Sequence, residues 1–298
     1  MSEDPQVPEI AIEKKLPESE VHDLMGGSAR WEVKIHDHGL AALLDVMPRF
    51  APIGKTADFA IVQAARVSYG EGTKQVSEDR GLIRYLARHR HTTPFEMVEF
   101  KFHHVMPIFV ARQWIRHRTA NVNEYSARYS VVKDRFYRPS LDSLRKQSMT
   151  NRQGGTEPVD VATAEDFLRY LEATETHYVD YERMLDKGVA RELARIGLPL
   201  SVYTEWYWKI DLHNLFHFLS LRMDPHAQQE IRDYADAMFA LIQPIVPIAA
   251  EAFLDYRLQS INLSRLEIEA LRAGQPLATE NKRELAEWEE KKKQLGIE

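Results

Sequence analysis

The sequence predicts an α+β fold. Apolar residues recur at threes and fours over several long stretches, the spacing of helices with one buried face. The few stretches that alternate as strands stand outside any strand–helix–strand rhythm, which argues against a parallel α/β sheet. There is no internal repeat to suggest a solenoid or propeller. At 298 residues the chain could form one large domain or two, and 44% hydrophobic with 28% charged residues suits a packed core.

Taken in order, residues 1–28 carry scattered Pro, Glu and Ser and then Gly26-Gly27, and read as a flexible N-terminal tail. Trp31 to His36 alternates as a short strand, whereas Ala41 to Met47 reads as a helical turn or two. Residues 77–90 read as a helix: Ser77 can cap it, Glu78 and Asp79 favour its first turn, and Leu82, Ile83 and Leu86 share a face. Met97 to Val105 alternates imperfectly through Val98, Phe100 and Phe102, as a strand with one buried face. Pro107 opens a helix marked by Ile108, Ala111 and Ile115, which runs into Arg116-His117-Arg118. Residues 145–160 are polar, contain Gly154-Gly155 and Pro158, and read as a loop. One long amphipathic helix then carries Phe167, Leu171, Tyr178, Tyr181 and Leu185 up to Gly188. Further helices are expected at about 211–222 and 226–241; Pro244 and Pro247 interrupt, and a charged helix covers about 280–294. The Trp206-Tyr207-Trp208 run reads as packing.

The composition excludes several chemistries. With no cysteine, the chain has no disulfide, no thiolate metal site and no thiol nucleophile. The net charge of −6 argues against a surface built as a whole for nucleic acid, so an anionic small ligand needs a local basic pocket. Residues 1–16 lack the apolar segment of a signal peptide and no run approaches 18 apolar residues, so the expected location is cytoplasmic.

The densest chemistry lies in Arg116-His117-Arg118-Thr119-Ala120-Asn121-Val122-Asn123-Glu124-Tyr125-Ser126, followed by Ala127-Arg128-Tyr129-Ser130. Guanidinium forks suit phosphate oxygens bidentately, and hydroxyls add neutral donors. The same cluster could instead only complement the dipole at a helix C-terminus. The pattern Arg-His-Arg, seven residues, then Ser resembles the signature of the flavin-dependent thymidylate synthases, and the flanking segments strengthen the likeness. These are Ala65-Arg66-Val67-Ser68, His89-Arg90-His91-Thr92-Thr93-Pro94-Phe95-Glu96, Ala194-Arg195-Ile196-Gly197-Leu198-Pro199, Asp211-Leu212-His213-Asn214-Leu215 and Leu221-Arg222 through His226-Ala227-Gln228. The likeness spans about residues 30 to 258.

That resemblance implies a twisted, mainly antiparallel sheet flanked by helices, and reductive methylation of dUMP to dTMP. FAD is the implied flavin cofactor, with NADPH and 5,10-methylenetetrahydrofolate as cosubstrates and a homotetramer with active sites between subunits. It implies FAD contacts at Ser68, His91, Thr93, Arg116, His117, Arg118, Asp211, His213 and His217. It implies dUMP contacts at Gln113, Glu124, Ser126, Arg128, Arg195 and Arg222, with Arg222 the catalytic residue that favours an anionic uracil ring. Some members carry Asn and Arg where this chain has Asp211 and His213, which weakens those two contacts. Thr93-Pro94-Phe95-Glu96 also has the form of a capping box, an alternative role for Thr93. Ser126 has no visible activating base, so it reads as a binding hydroxyl rather than a nucleophile.

At about 100° per residue, Asp211 and Arg222 fall on one side of a continuous helix, and His213 and His217 nearly opposite. One helix then serves two pockets, which favours an oligomer that shares it. His213, His217 and His226 could alternatively bind a metal, but no HExxH arrangement accompanies them and no metal is expected. The expected organisation is a tail (1–28), a catalytic unit (29–262) and a charged helical extension (263–298). Two other functions compete: a folate- and flavin-dependent methylase acting on RNA, and a non-enzymatic nucleotide-binding module.

Overall fold

The computed structural model describes residues 17, 19–67, 79–148 and 155–297. Its strands are β1 (Val21–Asp23), β2 (Trp31–Ile35), β3 (Gly39–Met47), β4 (Phe50–Pro52), β5 (Glu99–Pro107), β6 (Asn121–Glu124), β7 (Arg145–Gln147), β8 (Gly155–Pro158) and β9 (Tyr203–Asp211). Its α-helices are α1 (Asp58–Val67), α2 (Asp79–Arg88), α3 (Ile108–Trp114), α4 (Val161–Glu175), α5 (His177–Asp186), α6 (Arg191–Ala194), α7 (Leu212–Arg222), α8 (Gln229–Ile242), α9 (Pro247–Phe253), α10 (Arg265–Ala273) and α11 (Lys282–Leu295). The main sheet is antiparallel throughout, in the order β2-β3-β5-β9-β6. This is the expected α+β fold.

Alternation explains why β5 and β9 form the centre. Phe100, Phe102, His104 and Met106 are fully buried on β5, and Trp206, Trp208 and Ile210 are buried on β9. The two strands pair in unbroken register from Glu99 opposite Asp211 to Pro107 opposite Tyr203. Trp114, the last residue of α3, drops into this face: its ring lies 4.9 Å from Phe218, 5.4 Å from Trp208, 5.6 Å from Trp206 and 5.8 Å from Tyr234. Packing therefore accounts for Trp206 and Trp208, while Tyr207 is on the opposite, exposed side of the strand.

Several expectations change. Ala41 to Met47 is a strand, not a helix: Ala41, Ala42 and Leu43 are all buried, and β3 pairs on both edges. A short apolar run carries no period that separates a buried strand from a helix, so long-range pairing decided it. The expected tail is ordered from Val21, because β1 pairs with β4 and Met25 joins the main core; residues 1–16 lie outside the described residues. Ser77 and Glu78 lie outside them too, and α2 follows from Asp79 with Ile83 and Leu86 inward. The 145–160 segment contains the antiparallel pair β7–β8, with Gly154 again undescribed. The long helix is divided into α4 and α5 at Thr176, whose hydroxyl donates to the Ala173 carbonyl at 2.6 Å, and Phe167 is exposed. The helix expected from about 226 begins at Gln229, and Asp224 and Pro225 lie in a turn before it, where Asp224 accepts from the His226 backbone at 2.8 Å.

Tyr178 and Tyr181 build a second, smaller core with Val132, Phe136 and Val202. Their hydroxyls bond the Val132 carbonyl and amide at 2.7 and 3.1 Å, which fastens the 125–138 segment to α5. A third cluster around Trp288 holds α10 and α11 together. No helix among the described residues is long and apolar enough to cross a membrane.

His104 is fully buried among Phe102, Trp114 and Trp208, and neither ring nitrogen has a hydrogen-bond partner among the described residues. Burial, with a smaller contribution from His103, holds its pKa down at about 3. The unfolded chain therefore takes a proton there near pH 6.5 while the folded chain refuses it, so stability falls as pH drops from about 6.5 towards 3, by roughly 1.4 kcal/mol per unit. Replacing His104 with Phe should move the acid-unfolding midpoint to lower pH, as followed by tryptophan fluorescence. An unchanged midpoint would show that His104 takes no part in acid unfolding.

Candidate active site

The candidate site begins where α3 ends. Trp114 anchors the helix in the core, so the next residues must leave it: Arg116 and Arg118 are exposed, and His117 between them is half-buried. Neither guanidinium makes a hydrogen bond or ion pair among the described residues. The His117 ring packs against Phe218 at 4.9 Å and lies 6.0 Å from the ring of His217.

Arg222, the last residue of α7, meets the same histidine. Its Nε donates to His117 Nε2 at 3.1 Å. That bond requires an unprotonated Nε2, which puts the proton of the neutral ring on Nδ1. His117 is held at about 4, first by burial and then by the positive charges of Arg222 and His217. Arg222 is half-buried with no carboxylate bonded to it among the described residues, and burial pulls its pKa down. A desolvated cation without a counter-ion is costly unless an anion completes it.

This geometry corrects the two-pocket reading of α7. The helix starts at Leu212, and Asp211 precedes it as the cap, accepting from Asn214 N at 2.9 Å and Asn214 Nδ2 at 2.7 Å. Both Asp211 oxygens are thus occupied in capping. Arg222 does not lie apart from His217: its long side chain and the end of α3 bring Arg222, His117 and His217 into one patch. Helical angle alone could not show this, because the bridging residue comes from another element.

Gln113 lies one turn before this patch and its amide donates to Gln228, the residue before α8. The start of α8 is itself fixed from afar. His36 Nε2 and Asp233 Oδ2 are 2.8 Å apart, Gln229 donates to Asp233 at 2.6 Å, and Tyr137 donates to Glu230 at 3.0 Å. Gln228 was not among the sequence candidates; its place in the His226-Ala227-Gln228 string was the available signal.

The other candidates gather separately. Glu124, on β6, accepts from the Thr204 hydroxyl at 2.8 Å. Ser126 Oγ accepts from the Arg128 amide at 3.3 Å, and among the described residues neither a histidine nor a carboxylate bonds it. Arg128 Nε donates to Glu192 at 3.2 Å, which ties the loop after β6 to α6. Arg195 follows α6, exposed, with its guanidinium unbonded among the described residues. Leu193, Ile196 and Leu200 around it are 58%, 74% and 63% exposed, an apolar surface beside a cation. No hydrogen bond or ion pair among the described residues joins this group to the Arg222 group.

His91 stacks on Tyr85 with ring centroids 6.0 Å apart. Thr93 is not a cap: the short 3-10 turn Thr93–Met97 is preceded by Thr92 and carries no side-chain cap, so the capping-box reading fails. His213 is half-buried on α7; Ser68 lies outside the described residues. Among the described residues no three His, Asp or Glu side chains gather as a metal site, and His226 instead bonds Asp224 through Nδ1 at 2.8 Å. Unpaired guanidiniums flanking a neutral imidazole make a donor set that fits a phosphate-bearing aromatic cofactor.

Residues 51–248 match the family described as thymidylate synthase complementing protein. The chain is 68% identical over 290 residues to the flavin-dependent thymidylate synthase of Dictyostelium discoideum, covering 97% of this chain and 96% of that one. It is 53% identical over 255 residues to the flavin-dependent thymidylate synthase of Gluconobacter oxydans, covering 83% of this chain and 82% of that one. A solved UMP/dUMP methylase from Streptomyces cacaoi, bound with 5-Br dUMP, matches with a TM-score of 0.64 at 34% identity, over 76% of this chain and 99% of that one.

The His117 assignment is measurable. In a proton NMR titration its imidazole should show a midpoint of about 4, with the ring neutral from pH 5 to 8. A midpoint near the ordinary value of about 6.5 would mean that His117 is not held beside the buried Arg222.

Proposed function

Because this chain belongs to the flavin-dependent thymidylate synthases, we propose that it methylates dUMP at a site built around the half-buried Arg222 and its bond to His117. The carrying observation is that Arg222 is half-buried with no carboxylate partner among the described residues. Bound FAD, reduced by NADPH, supplies the hydride, and 5,10-methylenetetrahydrofolate supplies the carbon.

The chain's own residues bind and orient. Arg116, His117 and Arg118, with His91, Thr93, His213 and His217, face the flavin; Ser68 and Asp211 complete the set expected from the family resemblance. Arg222 keeps both terminal nitrogens for the uracil ring, since His117 occupies only Nε. A fixed cation there favours the anionic ring over the neutral one, so its attraction grows as the reaction proceeds. Arg195 and Arg128 hold the phosphate, Ser126 and Glu124 bond the nucleotide, and Gln113, steadied by Gln228, borders the ring.

The active site is shared between subunits of a homotetramer. Two observations support this: among the described residues of one chain no bond joins the Arg222 and Arg195 groups, and an exposed apolar surface borders Arg195. The catalytic unit covers 29–262, and the 263–298 extension lies outside the site; α10 and α11 are held by their own Trp288 cluster. The methylation of RNA finds no support in the net charge of −6.

Arg222→Lys keeps charge but loses the planar fork, and should lower kcat strongly at saturating dUMP with flavin still bound. Arg195→Lys should chiefly raise the dUMP KM. Ser126→Ala should leave turnover measurable, since one lost hydrogen bond costs about 0.5–1.5 kcal/mol. If Arg222→Lys changes KM alone, the ring-activating role is wrong.

Subunit sharing has its own test. Mixed oligomers of inactive Arg195→Ala and Arg222→Ala chains should recover part of the wild-type activity, because some sites then draw both arginines from intact partners. No recovery in oligomers shown to be mixed would place both arginines in one chain's site.

A further inference from the structure

Helix α2 ends in a tight turn in which the His91 amide donates to the Leu86 carbonyl at 2.9 Å and the Arg90 amide to the Ala87 carbonyl at 3.2 Å. This arrangement needs a left-handed residue at the second position, and Arg90 has φ of +59°. Glycine is the residue that adopts this conformation without steric cost. The chain follows that rule elsewhere: Gly188 after α5, Gly274 after α10 and Gly296 after α11 have φ of 82°, 59° and 66°. Among the described residues only His36 and Arg90 are non-glycine at positive φ.

The two exceptions differ in what their side chains do. His36 bonds Asp233 and its ring packs at a tilt against Tyr137, so its contacts within the chain account for its retention. Arg90 is exposed, and its guanidinium makes no hydrogen bond, ion pair or ring contact among the described residues. Its immediate neighbours point to the flavin side of the site. His91 precedes the turn Thr93–Met97, which packs against α7, the helix that presents His213 and His217.

We propose that Arg90 is a further binding residue, which reaches a phosphate of a dinucleotide bound at this site. The proposal rests on the flavin reading above. The strained conformation is retained because Gly at this position would relax the turn but remove the cation. Attraction to the carbonyl end of α2 gives the charge another use, but that requires no ligand, and the two roles separate experimentally.

The test uses the full-length holoenzyme with Arg90→Gly and Arg90→Gln. Gly removes both strain and charge, whereas Gln removes the charge and keeps a side chain at the strained position. Arg90→Gly should raise Tm by about 2 °C, and Arg90→Gln should not. Release of FAD on dilution, followed by flavin fluorescence, should then give an apparent Kd weaker by about tenfold in both variants, the usual effect of losing one charge-assisted contact. If FAD affinity is unchanged but the NADPH KM at saturating FAD rises about tenfold in both, the phosphate belongs to the nicotinamide dinucleotide. No change in either ligand overturns the proposal, as does a loss confined to Arg90→Gly, which would trace to the backbone. A Tm that does not rise in Arg90→Gly overturns the account of why arginine stands there. Wild-type protein that holds no flavin fails the functional reading itself, a separate outcome.

Discussion

The burial of Trp114 is the interaction on which the rest depends. Its ring fills the space between β9, α7 and α8, touching Trp206, Trp208, Phe218 and Tyr234. Interiors are packed to crystal density, so a side chain of this size admits one placement of the helix that carries it. The end of α3 is thereby fixed, and with it the point where Arg116-His117-Arg118 leaves the core. Phe218, which stacks on Trp114, also touches His117. One aromatic cluster therefore sets both the sheet-to-helix packing and the position of the histidine that meets Arg222.

Electrostatics at that point follow from partial burial. His117 stays neutral because it is withdrawn from water beside positive groups, and a neutral ring can accept from Arg222. A protonated ring would offer no lone pair at Nε2 and would repel the guanidinium. The pair is thus stable only while the histidine is uncharged. Arg222 in turn has lost solvation without gaining a carboxylate among the described residues, leaving it attractive to an anionic ligand.

The segment carrying Ser126, Arg128 and Arg195 is built on different foundations. The Tyr178 and Tyr181 hydroxyls grip Val132, and Arg128 bridges to Glu192, so Ser126, Arg128 and Arg195 are carried on a second small core. His36 and Tyr137 join the two regions from behind, since both bond the first turns of α8. Gln228, which bonds Gln113, stands at the start of that helix. Positioning of the binding groups is spread over long-range contacts rather than held within one motif.

The sequence by itself determined the helices with clear threefold and fourfold spacing, the strand through Phe100 and Phe102, and the family, through residues whose type and order are local. It also named the candidate site residues. It misread Ala41 to Met47, because a short apolar run shows no period of its own and takes its form from neighbours distant in the chain. It did not foresee β9, whose Trp206 and Trp208 alternate inward but were read as packing alone. It placed Arg222 apart from the histidines, because a helical wheel contains only one helix. That His117 links Arg222 to His217 was decided by tertiary structure alone. The physical reason is that hydrogen bonds and burial act between whichever surfaces packing brings together, and sequence spacing does not encode that distance.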